Sequence, residues 1–232
     1  MNNLDSNTEK PGRFRERDTE MPGAQVIMSN AREAMAGNWG LGALTMLLYV
    51  GLMILVVGAD ELIAQLFSME DWSVSLIQFL VSGAFSLGFA FFYLKIVRNQ
   101  TPSAGTILLG FNRFGTALFA YFLVAIFILL WSLLLIIPGI IAAYAYAQTF
   151  FVLADDPNCG AREAIQRSKE MMYGYKADLF FLGFRFLGWA ILGVLSLGIG
   201  FLWIGPYMGT AFAVFYEEVK PQSRQLAEQD VF

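Results

Sequence analysis

Two stretches of this chain are uncharged over more residues than one membrane crossing needs. One runs from Phe114 to Ala154 without a charged residue, and the other runs from Leu179 to Tyr216 with only Arg185 charged. As single helices at about 1.5 Å per residue, each would reach roughly 60 Å, twice the ~30 Å hydrocarbon core of a bilayer. Each stretch therefore has to fold back on itself near its middle.

Local residues indicate where these two turns lie. Pro138 and Gly139 interrupt the first stretch, and the segment Ser196-Leu197-Gly198-Ile199-Gly200 interrupts the second. Proline lacks a backbone N–H and clashes with the preceding helical turn, whereas glycine accepts a positive φ. Each long stretch is therefore predicted to form a hairpin of two membrane-spanning helices.

Two further apolar runs complete the set of spans. Trp39 to Ala59 is uncharged, and Trp72 to Val97 carries only Lys95. The sequence thus predicts an all-α fold: a polytopic membrane helix bundle of six transmembrane helices, arranged as three hairpins. The predicted spans are 39–59, 72–97, 114–137, 140–154, 179–197 and 200–216. Four long, tilted and kinked helices are the alternative arrangement.

Composition agrees with a membrane location. Hydrophobic residues make up 57% of the 232 residues and charged residues 15%. A soluble domain typically has about 45–50% apolar and about 25% charged residues. A water-soluble fold could not bury this much apolar surface, so the lipid bilayer is the first predicted partner.

The charged residues lie mainly outside the spans. Residues 1–23 are polar and contain Pro11 and Pro22, which predicts a disordered cytoplasmic tail. The six-span membrane domain is predicted over 24–219, followed by a cytoplasmic C-terminal tail over 220–232. With six spans, one side of the membrane holds the basic residues Lys10, Arg13, Arg15, Arg17, Arg32, Lys95, Arg98, Arg113, Arg162, Arg167, Lys169, Lys176, Lys220 and Arg224. Basic residues stay cytoplasmic, so both termini are predicted inside.

A threefold repeat accompanies the spans. An aromatic pair near the end of each even-numbered span is followed by an X-Pro step: Phe91-Phe92 with Thr101-Pro102, Phe150-Phe151 with Asp156-Pro157, and Phe215-Tyr216 with Lys220-Pro221. Thr101 and Asp156 suit helix N-caps, with Pro102 and Pro157 at the first helical position. A short amphipathic, interfacial helix is accordingly predicted before each odd-numbered span.

Three segments resemble an uncharacterised family of bacterial integral membrane proteins, known as domain of unknown function 975. They are AREAMAGNWGLGAL at 31–44, GFNRFGTAL at 110–118 with its continuation to 157, and the segment from REAIQRSKEMMYGYKADLFF to AVFYEEV at 162–219. The resemblance covers about residues 26 to 219. It implies a polytopic bundle of the bacterial cytoplasmic (inner) membrane. It brings no activity, substrate or catalytic residue.

The residue inventory argues against an enzyme. The chain has no histidine and one cysteine, Cys159, and the predicted spans contain no Asp or Glu. Acid–base and nucleophilic catalysis need such groups in position, and zinc sites need Cys or His ligands. No catalytic residue, metal ligand or cofactor is therefore predicted. Nucleic-acid binding is not expected either, because the basic residues are few and interleaved with acidic ones.

A few polar residues are candidates for ligand binding. Arg185 is the charged residue placed deep inside a predicted span, and Tyr144, Tyr146 and Gln148 offer hydroxyls and an amide. Arg185 either binds an anion, pairs with Asp178, or extends to the cytoplasmic headgroups.

Two function classes remain open from the sequence. One is a non-enzymatic scaffold or envelope-associated regulatory protein that contacts a membrane protein or a second copy of itself. The other is a transporter or permease for a small neutral, anionic or lipid-like substrate. Frequent glycines favour close helix packing in either class, and Pro206-Tyr207 predicts a kink in span six.

Overall fold

The computed structural model describes residues 21–67 and 72–229, and every regular element in these ranges is helical. The α-helices are α1 (Ala24–Ala34), α2 (Trp39–Phe67), α3 (Trp72–Val97), α4 (Phe114–Leu134), α5 (Ile136–Tyr146), α6 (Thr149–Asp155), α7 (Ala161–Met171), α8 (Lys176–Leu195) and α9 (Phe201–Gln229). One 3₁₀ helix, Ala104–Arg113, precedes α4. The all-α prediction is confirmed. The predicted tail at 1–23 lies almost wholly outside the described residues.

Among the described residues, five segments are long and apolar enough to cross a membrane. They are Trp39–Leu66, Ile77–Val97, Ala104–Leu134, Ile136–Asp155 and Lys176–Leu195. The sixth predicted span falls in α9, which is not among them. Pro206, Tyr207 and several glycines lower the hydropathy of its first half, and Glu217 and Glu218 continue the same helix.

The first hairpin is longer than predicted on one side. α3 begins and ends at the predicted residues, but α2 continues to Phe67 instead of ending at Ala59. The interval between the predicted spans 39–59 and 72–97 is therefore helical over 60–67, which includes Asp60 and Glu61. Two carboxylates do not stop a helix whose apolar residues continue at Leu62 and Leu66.

The turn between α4 and α5 lies earlier than Pro138-Gly139. α4 ends at Leu134, Leu135 is extended with φ −160° and ψ 147°, and α5 starts at Ile136. Pro138 lies in the first turn of α5, where its missing N–H would have no intrahelical partner. Gly139 instead permits close packing, because a Cβ there would lie 2.8 Å from Ser132 Cα on α4.

Span four is not one helix. The predicted 140–154 segment is divided at Ala147-Gln148 into α5 and the short α6. The turn between α8 and α9, in contrast, lies where it was predicted. Leu197 and Gly198 have φ values of 56° and 89°, and the Ser196 hydroxyl accepts a hydrogen bond from the Gly200 N–H at 2.8 Å.

The amphipathic segments before α2, α4 and α8 are helical, but two predicted N-caps were wrong. Ser103 rather than Thr101 caps the 3₁₀ helix, and Gly160 rather than Asp156 precedes α7. Pro102 and Pro157 therefore lie outside these helices. α1 buries Ile27 and Ala31, and α7 buries Ala161, Ala164, Ile165, Ser168 and Met171.

α3 is the central helix of the bundle. It packs against α2, the 3₁₀ helix, α4, α6 and α9. Within its apolar segment 56% of the residues are buried, compared with 11% in the apolar segment of α2. Glycines allow this density. A Cβ on Gly88 would lie 2.6 Å from the Ile107 carbonyl carbon, and one on Gly83 would lie 2.7 Å from the Ala117 oxygen. The predicted role of glycine in close helix packing is confirmed at these positions.

Candidate functional site between α3, α6 and α9

A cluster of ion pairs joins the C-terminal ends of α3 and α6 to the middle of α9, three helices that are far apart in the sequence. Arg98, just after α3, donates from Nε to Glu217 on α9 at 2.8 Å and forms an ion pair with Asp155 at the end of α6. Asp155 also forms an ion pair with Lys220 and accepts a hydrogen bond from the Tyr216 hydroxyl at 3.0 Å. We call these five residues the ion-pair cluster.

The cluster balances its own charge. Two cations face two carboxylates, and the side-chain exposures of Arg98 and Asp155 are 32% and 15%. Burial alone would lower the pKa of Arg98, but hydrogen bonds to Asp155 and Glu217 outweigh it and raise that pKa. Each carboxylate is thus held by a cation instead of being available as a base, so the arrangement suits holding helices together rather than proton transfer.

Aromatic side chains support the cluster from inside the bundle. Phe92, Phe151 and Tyr216 are buried, and the rings of Phe151 and Tyr216 stack with centroids 5.8 Å apart. Each residue belongs to one of the three aromatic pairs found in the sequence. These side chains therefore place the C-terminal parts of α3 and α6 and the middle of α9 in one core.

A cavity of about 280 Å³ lies beside the cluster, between α1, the end of α3 and α9. The residues that line it include three glutamates, Glu33, Glu217 and Glu218, and two asparagines, Asn30 and Asn99. This lining favours a cationic or hydrogen-bond-donating group over an anion. Within the part of the chain that the structure describes, no cluster of three or more metal-ligating side chains was found.

A second polar cluster surrounds the α6–α7 linker. The Arg113 guanidinium donates to the carbonyl oxygens of Leu153 and Cys159 at 2.7 and 2.6 Å, which places a cation at the C-terminus of α6. The Asp156 carboxylate accepts hydrogen bonds from the Asn158 N–H and from Arg167, both at 2.9 Å. The Asn158 N–H and then Arg167 hold the pKa of Asp156 below its ordinary value.

The four predicted ligand-binding residues do not share one site. Arg185 is exposed on α8 and has no ion pair with Asp178 or with any other described residue. The Tyr144 ring packs against Phe180, and the Tyr146 ring packs against Phe127. Gln148 is fully buried beside α7.

Tyr207 connects the bundle to α1. Its hydroxyl donates to the Met28 carbonyl at 3.0 Å, and its ring contacts Trp39 and Phe186. α9 continues through Pro206 as one helix, and the Thr210 hydroxyl donates to the Pro206 carbonyl at 2.8 Å. Tyr207 is therefore a point of attachment between α9 and α1, and the kink at Pro206 stays a prediction.

Sequence analysis missed one buried acid. Asp60, placed outside the membrane by the predicted end of span one, lies within α2 and is only 2% exposed. Its carboxylate has no hydrogen-bond partner among the described residues. The continued apolar pattern at Leu62 and Leu66 is the signal that would have extended the helix past it.

Comparison with known proteins identifies a family but no activity. The sequence model of one family matches residues 23–138 and 133–223, which together cover most of the chain. No curated protein and no solved structure matches this chain. The chain belongs to the family described as Protein of unknown function (DUF975).

Proposed function

We propose that this protein is a non-enzymatic scaffold of the bacterial inner membrane, with six spans and both termini in the cytoplasm. Large apolar side chains cover its outer surface, as a bilayer requires. The turns that join α4 to α5 and α8 to α9 carry no charge. Leu133, in the last turn of α4, and Leu197, in the α8–α9 turn, are 82% and 93% exposed. The absence of Lys and Arg from both turns supports placing them on the side of the membrane opposite the cytoplasm.

The sixth span in this proposal is the first part of α9. α9 packs against α1, α2, α3 and α8, so it belongs to the same bundle as the five apolar segments. The first charged residue of α9 is Glu217. Glu217 and Lys220 lie beside Arg98 and Asp155, on one side of the bundle. The basic residues near this end support its cytoplasmic orientation.

The ion-pair cluster is the observation that carries the scaffold role. It holds three predicted span ends together. The buried threonine hydroxyls inside the bundle donate hydrogen bonds to backbone carbonyls three or four residues away in the chain. Thr45, Thr149 and Thr210 donate to the carbonyls of Leu41, Tyr146 and Pro206 on their own or the adjoining helix. Such an interior favours a rigid body that presents a surface to a protein partner.

Site-specific photo-crosslinking in native membranes tests this role. A benzoylphenylalanine placed at Tyr173, 81% exposed after α7, should give discrete protein adducts. The matched control is Leu133, equally exposed but located at the opposite, apolar turn. It should give lipid adducts. If Tyr173 yields only lipid adducts as well, the scaffold role is wrong.

A small-molecule transporter is the second candidate, and the break between α5 and α6 favours it. Discontinuous membrane helices form the substrate sites of many transporters. Substrates should raise the unfolding temperature of a transporter in detergent. If Arg185 binds the substrate, Arg185→Ala should abolish that rise.

A further inference from the structure

Arg185 lies on an exposed face of α8, inside a segment that is long and apolar enough to cross a membrane. The nearest charged residue along this helix is Asp178, about 10 Å away at about 1.5 Å per residue. Within the described part of the chain, no acidic side chain forms an ion pair with Arg185. A charge inside a bilayer is costly and nearly always faces a partner or water, so this guanidinium requires a physical explanation.

The residues around Arg185 form a continuous exposed stripe along α8. Its members recur at alternating intervals of four and three residues, which places them on one face of the helix: Phe181, Arg185, Gly188, Leu192 and Leu195. Each of them is exposed, because the helices that pack against α8, namely α1, α5 and α9, lie on its other faces. This spacing is the one at which two membrane helices pack side by side. We call these five residues the α8 stripe.

Gly188 makes the α8 stripe open to a second helix. A Cβ at Gly188 would have no atom within 4 Å, whereas one at Gly193 of the same helix would lie 3.0 Å from the Phe201 ring. Packing inside this chain therefore explains Gly193 but not Gly188. A glycine inside a helix costs stability relative to alanine, and on the surface of a membrane helix it lets another backbone approach closely. The opening lies one turn from the arginine charge.

A lipid headgroup is a poor match for Arg185. Lipid tails supply no negative charge, so the phosphate would have to come from the nearer, cytoplasmic end of α8 in the proposed orientation. On that path lies Asp178, which is seven residues before Arg185 and therefore on the same face of the helix. A carboxylate at this position repels a phosphate.

A second copy of this chain is a poor match as well. The described membrane-crossing segments have their acidic residues only toward their ends. The one that lies farthest inside, Asp60, is buried and follows the start of α2 by about 32 Å, whereas Arg185 follows the start of α8 by about 14 Å. Copies standing side by side in one membrane could not pair these two residues. The negative charge has to come from another protein.

We propose that the α8 stripe binds a membrane helix of a different protein, one that carries an Asp or Glu within its apolar run. The partner carboxylate accepts two hydrogen bonds from the Arg185 guanidinium, and the partner backbone packs over Gly188. Both features of the α8 stripe that lipid does not explain, the charge and the open glycine, are then used in one contact. This inference rests on the scaffold role and names the class of its partner.

Photo-crosslinking in native membranes tests the contact. Benzoylphenylalanine replaces Leu192 on the α8 stripe, and the matched control replaces Leu187, which is similarly exposed on another face of α8. Leu192 should give a discrete protein adduct and Leu187 lipid adducts. The protein adduct should fall about tenfold or more in Arg185→Leu, because removing one partner of a buried ion pair weakens binding at least to that extent. Mass spectrometry of the adduct should find an Asp or Glu within the apolar run of the cross-linked segment.

Three results would overturn the proposal. They are an adduct that Arg185→Leu leaves unchanged, a cross-linked segment without an acidic residue, and lipid adducts alone at Leu192. Lipid adducts that disappear in Arg185→Leu would assign the arginine to a headgroup instead. Protein adducts at Tyr173 combined with lipid adducts alone at Leu192 would overturn only the α8 stripe, whereas lipid adducts alone at both positions would overturn the scaffold role too.

Thermal unfolding in detergent separates loss of the contact from loss of the fold. Arg185→Leu should unfold at the wild-type temperature or higher, because the guanidinium has no ion-pair partner among the described residues. A lower unfolding temperature would show that Arg185 is used inside this chain and would overturn the proposal. Gly188→Leu provides a second variant that keeps the charge. It should lose the protein adduct at Leu192 and retain the unfolding temperature, since a Cβ there meets no other atom.

Discussion

Asp155→Asn should destabilise the bundle more than any other single isosteric change at its charged end. Asp155 forms ion pairs with Arg98 and Lys220 and accepts a hydrogen bond from Tyr216. An exposed ion pair contributes about 0–1 kcal/mol, and breaking a fully buried pair costs about 3–5 kcal/mol. The cluster is 15–32% exposed, between these limits. We therefore expect a loss of about 2 kcal/mol in the free energy of unfolding.

Thermal unfolding of the purified protein in detergent or nanodiscs measures this loss. For a chain of this size, about 2 kcal/mol corresponds to a decrease of roughly 4–8 °C in the unfolding temperature. Asp156→Asn is the matched control, because Asp156 is the next residue and its ion pair with Arg167 lies at the surface. It should lower the unfolding temperature much less.

A double-mutant cycle separates the ion pair from other effects. If Arg98 and Asp155 act on each other, Arg98→Gln combined with Asp155→Asn should cost less than the two changes summed, by at least about 0.5 kcal/mol. Additive losses would refute the reasoning. So would an unfolding temperature of Asp155→Asn within about 1 °C of the wild type, since the cluster would then contribute no more than a surface pair.

Three further predictions test other parts of the structure. Gly88→Ala should destabilise by about 1–3 kcal/mol because its Cβ would meet the Ile107 backbone, whereas Gly51→Ala, with no atom within 4 Å, should stabilise α2 by about 0.5–1 kcal/mol. The Asn158 N–H and Arg167 hold the pKa of Asp156 below its unfolded value, so its contribution is present above about pH 4 and lost as the pH falls further. The difference in unfolding temperature between wild type and Asp156→Asn should therefore shrink below about pH 4. In a Cys159→Ser background, Leu197→Cys should react with a membrane-impermeant thiol reagent applied outside the cell, and Tyr173→Cys should react only after permeabilisation. The reverse pattern would contradict the proposed orientation.

Length and charge were enough to predict much of the fold. The run from Leu179 to Tyr216 is too long for one crossing, and its turn lies at Ser196–Gly200 as expected. That turn depends on local backbone conformation, namely the positive φ of Leu197 and Gly198, of which the glycine's is indicated by the sequence. The α4–α5 turn was misplaced because proline is compatible with the first turn of a helix as well as with its end.

The ion-pair cluster could be predicted only in part. The aromatic pairs and the charges that follow them were visible along the sequence, but their convergence depends on how α3, α6 and α9 pack. Arg98 reaches Asp155 and Glu217 across 57 and 119 residues. No local pattern specifies such partners, because charged residues at span ends are expected whether or not they pair.

The break between α5 and α6 shows why a tertiary contact can override an apolar run. Nothing between Ile140 and Ala154 stops a helix by propensity alone, yet the helix ends at Tyr146 because Ser168 of α7 supplies both a donor and an acceptor there. One signal was present in the sequence. Ser168 interrupts the apolar face formed by Ala161, Ala164, Ile165 and Met172. A hydroxyl on the buried face of an amphipathic helix needs a partner, and in an apolar bundle an opened backbone is the nearest one available.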